Sequence, residues 1–206
     1  MATDLKRVER PQFREILVPV APVLLLLGLM WIVQVVNGAD RQRLDRFGIR
    51  PRQLDGLAGI LFSPFLHASF RHLIANTLPF LVLGAILAFN STRRFVLVTL
   101  IVALVAGLGT WLVSPANTVV VGASGVVFGY LTCIVTRGVF ARKLSYVLGG
   151  LVVLVVYGSI FFGLFPSRGI SWQDHLFGAI GGILAAWIVY GRGSDRLTAR
   201  FKPATV

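Results

Sequence analysis

The sequence predicts an all-α membrane protein, a bundle of six transmembrane helices with the N- and C-termini in the cytoplasm. Of the 206 residues, 56% are hydrophobic, whereas soluble domains contain about 45–50% apolar residues. The excess lies in six long apolar runs, and a run of about 20 such residues spans a bilayer core. The net charge is +12, and 19 of the 20 lysines and arginines fall outside these runs.

The chain divides into a short arm, one membrane domain and a tail. Residues 1–15 are polar and basic and are predicted to form a cytoplasmic arm. Residues 16–191 are predicted to form a single six-span domain, and residues 192–206 a basic cytoplasmic tail. The apolar runs are residues 16–36, 72–89, 95–113, 119–140, 144–165 and 172–190. The long first external loop, residues 37–71, mixes charged and apolar side chains, which predicts a fold partly on the membrane interface.

The basic residues predict the orientation. With the N-terminus inside, 13 of the 20 lysines and arginines lie on the inner side and close to the ends of spans. Positive residues at such positions favour the cytoplasmic side. The inner positions within the domain are Arg93, Arg94, Arg137, Arg142 and Lys143. The pattern predicts a multi-pass protein of the cytoplasmic membrane, with anionic lipid headgroups at its basic loops. The preference for arginine over lysine is typical of a bacterium with a GC-rich genome.

Several classes of site are disfavoured. The positive charge could indicate nucleic acid, but the arginines are interrupted by apolar runs and form no continuous face. The three histidines lack the HExxH spacing of zinc enzymes, and the acidic residues fall in loops or at interfaces. The single cysteine, Cys133, allows no disulfide framework and is predicted to be a packing residue. We therefore expect no nucleic acid, no metal and no cofactor.

Polar residues recur at one depth in three spans of the same direction. His72 and Asn76 begin the second apolar run, Ser124 lies near the start of the fourth and His175 near the start of the sixth. A rise of about 1.5 Å per residue puts Ser124 and His175 on the order of 10 Å below the outer surface. Ionisable side chains inside a membrane are costly, so a functional site is the favoured interpretation.

Glycines favour a direct contact between two of these spans. Ser124 lies in a Gly-Ala-Ser-Gly segment, residues 122–125, and His175 is followed by Gly178 and Gly182. Small residues four apart let helix backbones approach closely. A serine hydroxyl becomes a nucleophile when an imidazole about 2.6–3.2 Å away can take its proton.

Three motifs together resemble the signatures of the rhomboid family of intramembrane serine proteases, over roughly residues 55–190. The motifs are His67-xxxx-His72-xxx-Asn76, Gly122-Ala123-Ser124-Gly125 and His175-xx-Gly178-xxx-Gly182. The resemblance implies a rhomboid-like bundle that cleaves transmembrane segments of membrane proteins near the outer leaflet. It implies a catalytic dyad in which Ser124 is the nucleophile and His175 the general base.

The same resemblance implies an oxyanion hole and a supporting shell. The backbone N–H of Ser124 and the side chains of His72 and Asn76 would face the charge that develops on the scissile carbonyl. The supporting positions that it implies are His67, Gly122, Gly125, Phe128, Gly178 and Gly182. Phe128 stands where the family often has a tyrosine that stacks on the base.

Two departures from the family pattern stand out. The first loop carries no Trp-Arg pair, which leaves the fold of that loop open. Asp174 precedes the base, where a small residue is common. Adjacent helix positions point about 100° apart, so Asp174 is predicted to be an interfacial residue and not a third catalytic member.

Two other functions stay open. One is a proteolytically inactive rhomboid-like protein that acts as a membrane chaperone or scaffold. The other is a small transporter that uses intramembrane histidines. The inner halves of the spans are almost purely apolar, which disfavours a polar path across the membrane.

Overall fold

A computed structural model describes residues 13–167 and 169–191, and their regular structure is helical. The α-helices are α1 (Phe13–Ala39), α2 (Gly59–Phe62), α3 (Phe70–Asn90), α4 (Thr92–Val113), α5 (Ser124–Ala141), α6 (Leu144–Tyr157) and α7 (Trp172–Tyr190). Most of the predicted N-terminal arm (residues 1–12), Arg168 and the predicted tail (residues 192–206) lie outside the described residues.

Five of the described helices are long and apolar enough to cross a bilayer. They are α1 from Leu17, α3, α4, α5 and α6 with its continuation to Leu164. Helix α7 has 19 residues but is not among the five. Its first turn carries Gln173, Asp174 and His175, which lower its mean hydropathy. The predicted all-α membrane fold is thus confirmed in its coarse form, as a helical bundle with several apolar spans.

Helices α5 and α7 pack against each other through glycines at the centre of the bundle. Of the five apolar helices, α5 is the most buried, with 67% of its residues inside the protein. A Cβ atom on Gly178 would collide with the carbonyl oxygen of Gly125, and one on Gly182 with that of Gly129. The two backbones are therefore in direct contact, as the four-residue glycine spacing predicted.

Helix α5 begins later than the apolar run that predicted it. The run starts at residue 119, but the helix begins at Ser124, and the residues before it are not helical. Val120 pairs with Ile49 in an isolated antiparallel bridge, with both N–O distances at 2.9 Å. The rise per residue of an α-helix therefore does not apply to this stretch. The depth predicted for Ser124 assumed a helix here, and that assumption was wrong.

The first loop folds as short helices packed beside the segment that leads into α5. Besides α2, it forms 3₁₀ turns at Arg43–Phe47, Leu54–Gly56 and Ser63–Phe65. The Arg52 guanidinium donates to the carbonyl oxygen of Ser114 over 2.7 Å. The backbone N–H of Gly122 donates to the carbonyl oxygen of Ser63 over 2.9 Å. These bonds attach the loop to both sides of the turn between α4 and α5.

Helix α6 is the least embedded of the five apolar helices. Only 11% of its residues are buried inside the protein. The α-helix ends at Tyr157 and continues as a 3₁₀ helix, Gly158–Leu164. The predicted run 144–165 therefore contains two kinds of helix, and its second part leads towards the start of α7.

Arg137 lies deeper in the bundle than the sequence predicted. It was expected to be a cation at the end of a span, but α5 continues to Ala141 and the side chain is only 5% exposed. Its Cζ atom lies 4.7 Å from the ring centroid of Tyr146 and 5.9 Å from that of Tyr190. The aromatic faces attract the cation and so replace part of the stabilisation that solvent would otherwise provide.

Candidate active site

Ser124 and His175 meet across the interface of α5 and α7. Ser124 is the first residue of α5, and His175 lies in the first turn of α7. The Nε2 atom of His175 lies 2.8 Å from the Oγ atom of Ser124. Ser124 is half-buried and His175 is buried, so the hydroxyl keeps some exposure while the imidazole is largely enclosed.

The hydrogen bond on the far side of the imidazole fixes its tautomer. The Nδ1 atom of His175 lies 2.7 Å from the carbonyl oxygen of Gly163. A carbonyl oxygen only accepts, so Nδ1 carries the proton and donates. In the neutral ring Nε2 is then the acceptor, and the Ser124 hydroxyl donates to it. This is the arrangement that a general base for a serine nucleophile requires.

Phe128 covers one face of the imidazole. Its ring is nearly parallel to that of His175, with 4.3 Å between centroids and 12° between planes. Phe161 packs edge-on against the same phenyl ring, with centroids 6.2 Å apart. The predicted stacking position of Phe128 therefore corresponds to an observed contact.

The predicted oxyanion residues lie on α3, beside the segment that precedes Ser124. The Nδ2 atom of Asn76 donates to the carbonyl oxygen of His72 over 3.0 Å, within its own helix. The His72 ring packs against Gly122, where a Cβ atom would lie 2.7 Å from its Cε1. Gly122 also has a φ of +129°, a conformation that side-chain-bearing residues rarely adopt. Only glycine fits the turn at this position.

A cavity of about 540 Å³ opens next to this group. His72 and Gln173 line it, together with residues of the turn before α5 and the segment before α7. Several hydroxyl groups also line the cavity, which gives it a mixed polar and apolar wall: Ser114, Thr118, Ser167 and Ser171. A space of this size and polarity can hold several water molecules.

His67 is a buried support for the segment before the serine. The backbone N–H of Ala123 donates to its Nε2 atom over 3.4 Å, and its ring meets that of His72 edge-on at 5.1 Å. Burial, with a smaller contribution from the nearby His72, lowers the pKa of His67 to about 4. A neutral His67 keeps Nε2 free to accept the Ala123 bond.

Asp174 departs from its predicted place. It was expected at the membrane interface, but it is only 6% exposed. Its Oδ1 atom accepts a hydrogen bond from the Thr110 hydroxyl over 3.3 Å, and the carboxylate lies against Gly125, where a Cβ atom would be 2.7 Å from Oδ1. The prediction that the Asp174 carboxylate does not reach the His175 ring agrees with this geometry, because the carboxylate contacts α4 and α5.

Sequence reasoning did not single out Gly163 or Thr110. The one available signal for Gly163 was its place directly after two aromatic residues, Phe161 and Phe162. A glycine there can let another side chain approach the backbone closely. Thr110 lies in the second half of α4, which is otherwise apolar, and a hydroxyl there can bond its own backbone, so nothing marked it as a partner of another helix.

Comparisons with known proteins agree with the motifs. A family model described as "Rhomboid domain" matches residues 55–192. An uncharacterized protein of Mycobacterium tuberculosis strain H37Rv is 43% identical over 176 residues, which cover 81% of this chain and 73% of that protein. An uncharacterized protein of Mycobacterium leprae is 38% identical over 191 residues, covering 88% of this chain and 75% of that protein.

A more distant relative has a more specific name. The Bacillus subtilis protein named "Putative rhomboid protease YdcA" is 29% identical over 130 residues, which cover 62% of this chain and 65% of that protein. The segment matched by the family model contains the whole group of residues around Ser124 and His175.

Proposed function

The chain belongs to the rhomboid family, and from this membership we propose that it is an intramembrane serine endopeptidase that cleaves transmembrane segments of other membrane proteins. Ser124 is the nucleophile and His175 the general base of a dyad. The observation that carries this proposal is the distance of 2.8 Å between the Ser124 hydroxyl oxygen and His175 Nε2. The bond of Nδ1 to Gly163 supports it, because it leaves Nε2 ready to take a proton.

The reaction follows from these roles. Ser124 Oγ attacks the scissile carbonyl carbon while its proton passes to His175 Nε2. The protonated imidazole then donates to the leaving amine, and an ester joins the substrate to Ser124. Water, activated by the same imidazole, hydrolyses the ester and frees the enzyme.

Donors for the oxyanion come from two elements. Ser124 is the first residue of α5, and N–H groups in the first turn of a helix have no acceptor within the helix. The helix N-terminus also favours negative charge. His72 and Asn76 complete the hole from α3. One N–H of the Asn76 amide bonds the carbonyl of His72, and an amide has a second N–H for the oxyanion.

The proposed topology has six spans, with α7 as the sixth and both termini in the cytoplasm. The excess of basic residues on the inner side supports this orientation. Residues 1–15 form the cytoplasmic arm, residues 16–191 the protease domain with the external loop 37–71, and residues 192–206 the tail. The mycobacterial and Bacillus relatives support a bacterial cytoplasmic membrane. Anionic lipid headgroups contact the basic loops.

The substrate is a membrane protein with a transmembrane segment that unwinds near the outer leaflet. A helix keeps its carbonyl groups in hydrogen bonds, so the cut site must leave the helical form before attack. The cavity beside His72 supports this route, because it offers space for water next to the segment that leads into Ser124.

The decisive experiment uses the full chain in proteoliposomes with a reporter protein that has one transmembrane segment. Wild type, Ser124→Ala and His175→Ala are compared, and Ser145→Ala serves as a matched control because Ser145 is exposed at the start of α6. Cleavage should be lost in the two dyad variants and kept in the control. A fluorophosphonate probe should label wild type and Ser145→Ala but not Ser124→Ala.

Equal cleavage by wild type and Ser124→Ala would end the dyad proposal. Absence of cleavage and labelling in all four proteins, each correctly folded, would instead favour the chaperone or scaffold function. A proton or solute flux across the vesicles that needs His175 but not Ser124 would favour the transporter.

A further inference from the structure

The carboxylate of Asp174 is buried where three helices meet. The hydroxyl of Thr110 on α4 donates to it, and it lies against Gly125 on α5, where a Cβ atom would be 2.7 Å from its Oδ1. Neither of the two ion pairs found among the described residues involves it. A buried carboxylate without a cation is costly, and a specific role at this place would account for it.

Helix α5 lacks a cap of its own. Ala123 occupies its N-cap position and has no side chain that can accept a hydrogen bond. The first N–H groups of a helix need acceptors, and Ser, Thr, Asp or Asn usually provide one from the N-cap position. The Asp174 carboxylate on α7 lies beside this first turn, against Gly125, and carries acceptor atoms that its N–H groups lack.

We propose that Asp174 is a positioning residue, which caps α5 from α7 and thereby holds Ser124 in hydrogen-bond range of His175. The inference rests on the proposed protease function. Adjacent residues of one helix meet adjacent residues of the other, so that Asp174 lies against Gly125 while His175 bonds Ser124. The contact of Asp174 with α5 is thus the immediate neighbour of the bond between the nucleophile and the base.

Gly125 is enclosed from both sides by α7. The Asp174 carboxylate lies against it, and its carbonyl oxygen lies against Gly178, one turn further along α7. A Cβ atom at position 125 would lie 2.7 Å from Asp174 Oδ1. A slide or rotation of α5 against α7 would therefore disturb this contact together with the dyad.

Asp174 does not act as the third member of a catalytic triad. The Nδ1–H of His175 is taken by the carbonyl of Gly163, so no ring N–H remains for a carboxylate in the neutral base. The positioning role depends on the shape and acceptor atoms of residue 174, and not on its charge.

The test compares Asp174→Ala, Asp174→Asn and Asp174→Glu with wild type in the proteoliposome assay. Asparagine keeps the length, can accept from Gly125 through its amide oxygen and can donate to the Thr110 hydroxyl. Glutamate keeps the charge but moves the acceptor one methylene further out. Asp174→Ala and Asp174→Glu should lower kcat roughly 10- to 100-fold, with a small change in KM, whereas Asp174→Asn should stay within about threefold of wild type. The rate of fluorophosphonate labelling should follow kcat.

Thr132→Val is the matched control for a general loosening of the interface. The Thr132 hydroxyl on α5 donates to the carbonyl of Ala179 on α7 over 2.8 Å, two turns below Ser124. This variant should lower the unfolding temperature and leave kcat within about twofold of wild type.

Three results would overturn the positioning role: wild-type kcat in Asp174→Ala, a loss in Asp174→Asn with retention in Asp174→Glu, or an equal loss of kcat in Thr132→Val. If Asp174→Ala does not fold, the Asn and Glu variants still decide. Ser124→Ala is measured alongside, because wild-type cleavage by that variant would refute the proposed dyad of Ser124 and His175 itself, a failure distinct from any result of the Asp174 variants.

Discussion

The ring of Phe128 lies parallel to that of His175 at a centroid distance of 4.3 Å. Phe128 belongs to the same helix as Ser124, one turn further along, and is only 2% exposed. The phenyl ring therefore fixes the distance of the imidazole face from α5. It orients the base by contact alone, because it has no atom that can form a conventional hydrogen bond.

Removing this stack should slow catalysis moderately. Stacked aromatic pairs contribute about 0.5–1.5 kcal/mol beyond their buried area. Phe128→Leu should therefore lower kcat roughly threefold to tenfold, while Phe128→Tyr, which keeps the ring, should leave it almost unchanged. Cleavage rates of the reporter substrate in proteoliposomes measure both. A Phe128→Leu enzyme as fast as wild type would show that the stack has no part in orienting the base.

A side chain at Gly163 should displace the base. A Cβ atom there would lie 2.9 Å from His175 Nδ1 and 3.1 Å from Phe128 Cζ. Gly163→Ala should weaken the bond that fixes the tautomer and lower kcat roughly 10- to 100-fold. Gly149→Ala on α6 is the control, since a Cβ atom there has nothing within 4 Å. Equal rates in the two variants would contradict the role assigned to the Gly163 carbonyl.

A methyl group at Gly182 should separate α5 from α7. Its Cβ would collide with the carbonyl oxygen of Gly129, and a backbone atom cannot move aside cheaply. Overpacking of this kind costs about 1–3 kcal/mol, so Gly182→Ala should lower the unfolding temperature in detergent and reduce cleavage. Gly28→Ala on α1, where a Cβ meets nothing within 4 Å, should leave both unchanged. An unshifted unfolding temperature in Gly182→Ala would argue against close contact of the two helices.

His67 should make the protein less stable as the pH falls. Its pKa is lowered from 6.5 to about 4 by burial, so the unfolded chain binds the proton first and unfolding is favoured across that interval. The loss can reach about 1.4 kcal/mol per pH unit within the interval, and above pH 6.5 the effect is absent.

His67→Gln isolates this contribution. The glutamine side-chain oxygen can accept the Ala123 N–H and does not titrate. Unfolding temperatures measured from pH 7.5 down to pH 4 should fall less steeply in the variant, while His72 and His175 titrate in both proteins. Parallel curves would mean that His67 is not buried in its neutral form.

The family and the coarse fold were predictable, because both depend on local features of the chain. Apolar runs predict spans wherever they occur, and the three motifs around His72, Ser124 and His175 predicted the family that the comparisons then supported. The spacing of Gly178 and Gly182 also predicted which two helices would touch.

Relations between distant residues were not predictable in the same way. Asp174 was expected at the interface because nothing in the sequence sets the rotation of α7 against α5, which brings its carboxylate to Gly125. The start of α5 was misjudged because Val119–Val121 are as apolar in an extended segment as in a helix. Arg137 was read as a span-end cation because the tyrosines that surround it lie on other helices.

The carbonyl that fixes the tautomer of the base belongs to the continuation of α6, the apolar helix with the fewest buried residues. The acceptor that holds the Nδ1 proton is therefore carried by the helix that the rest of the described protein encloses least.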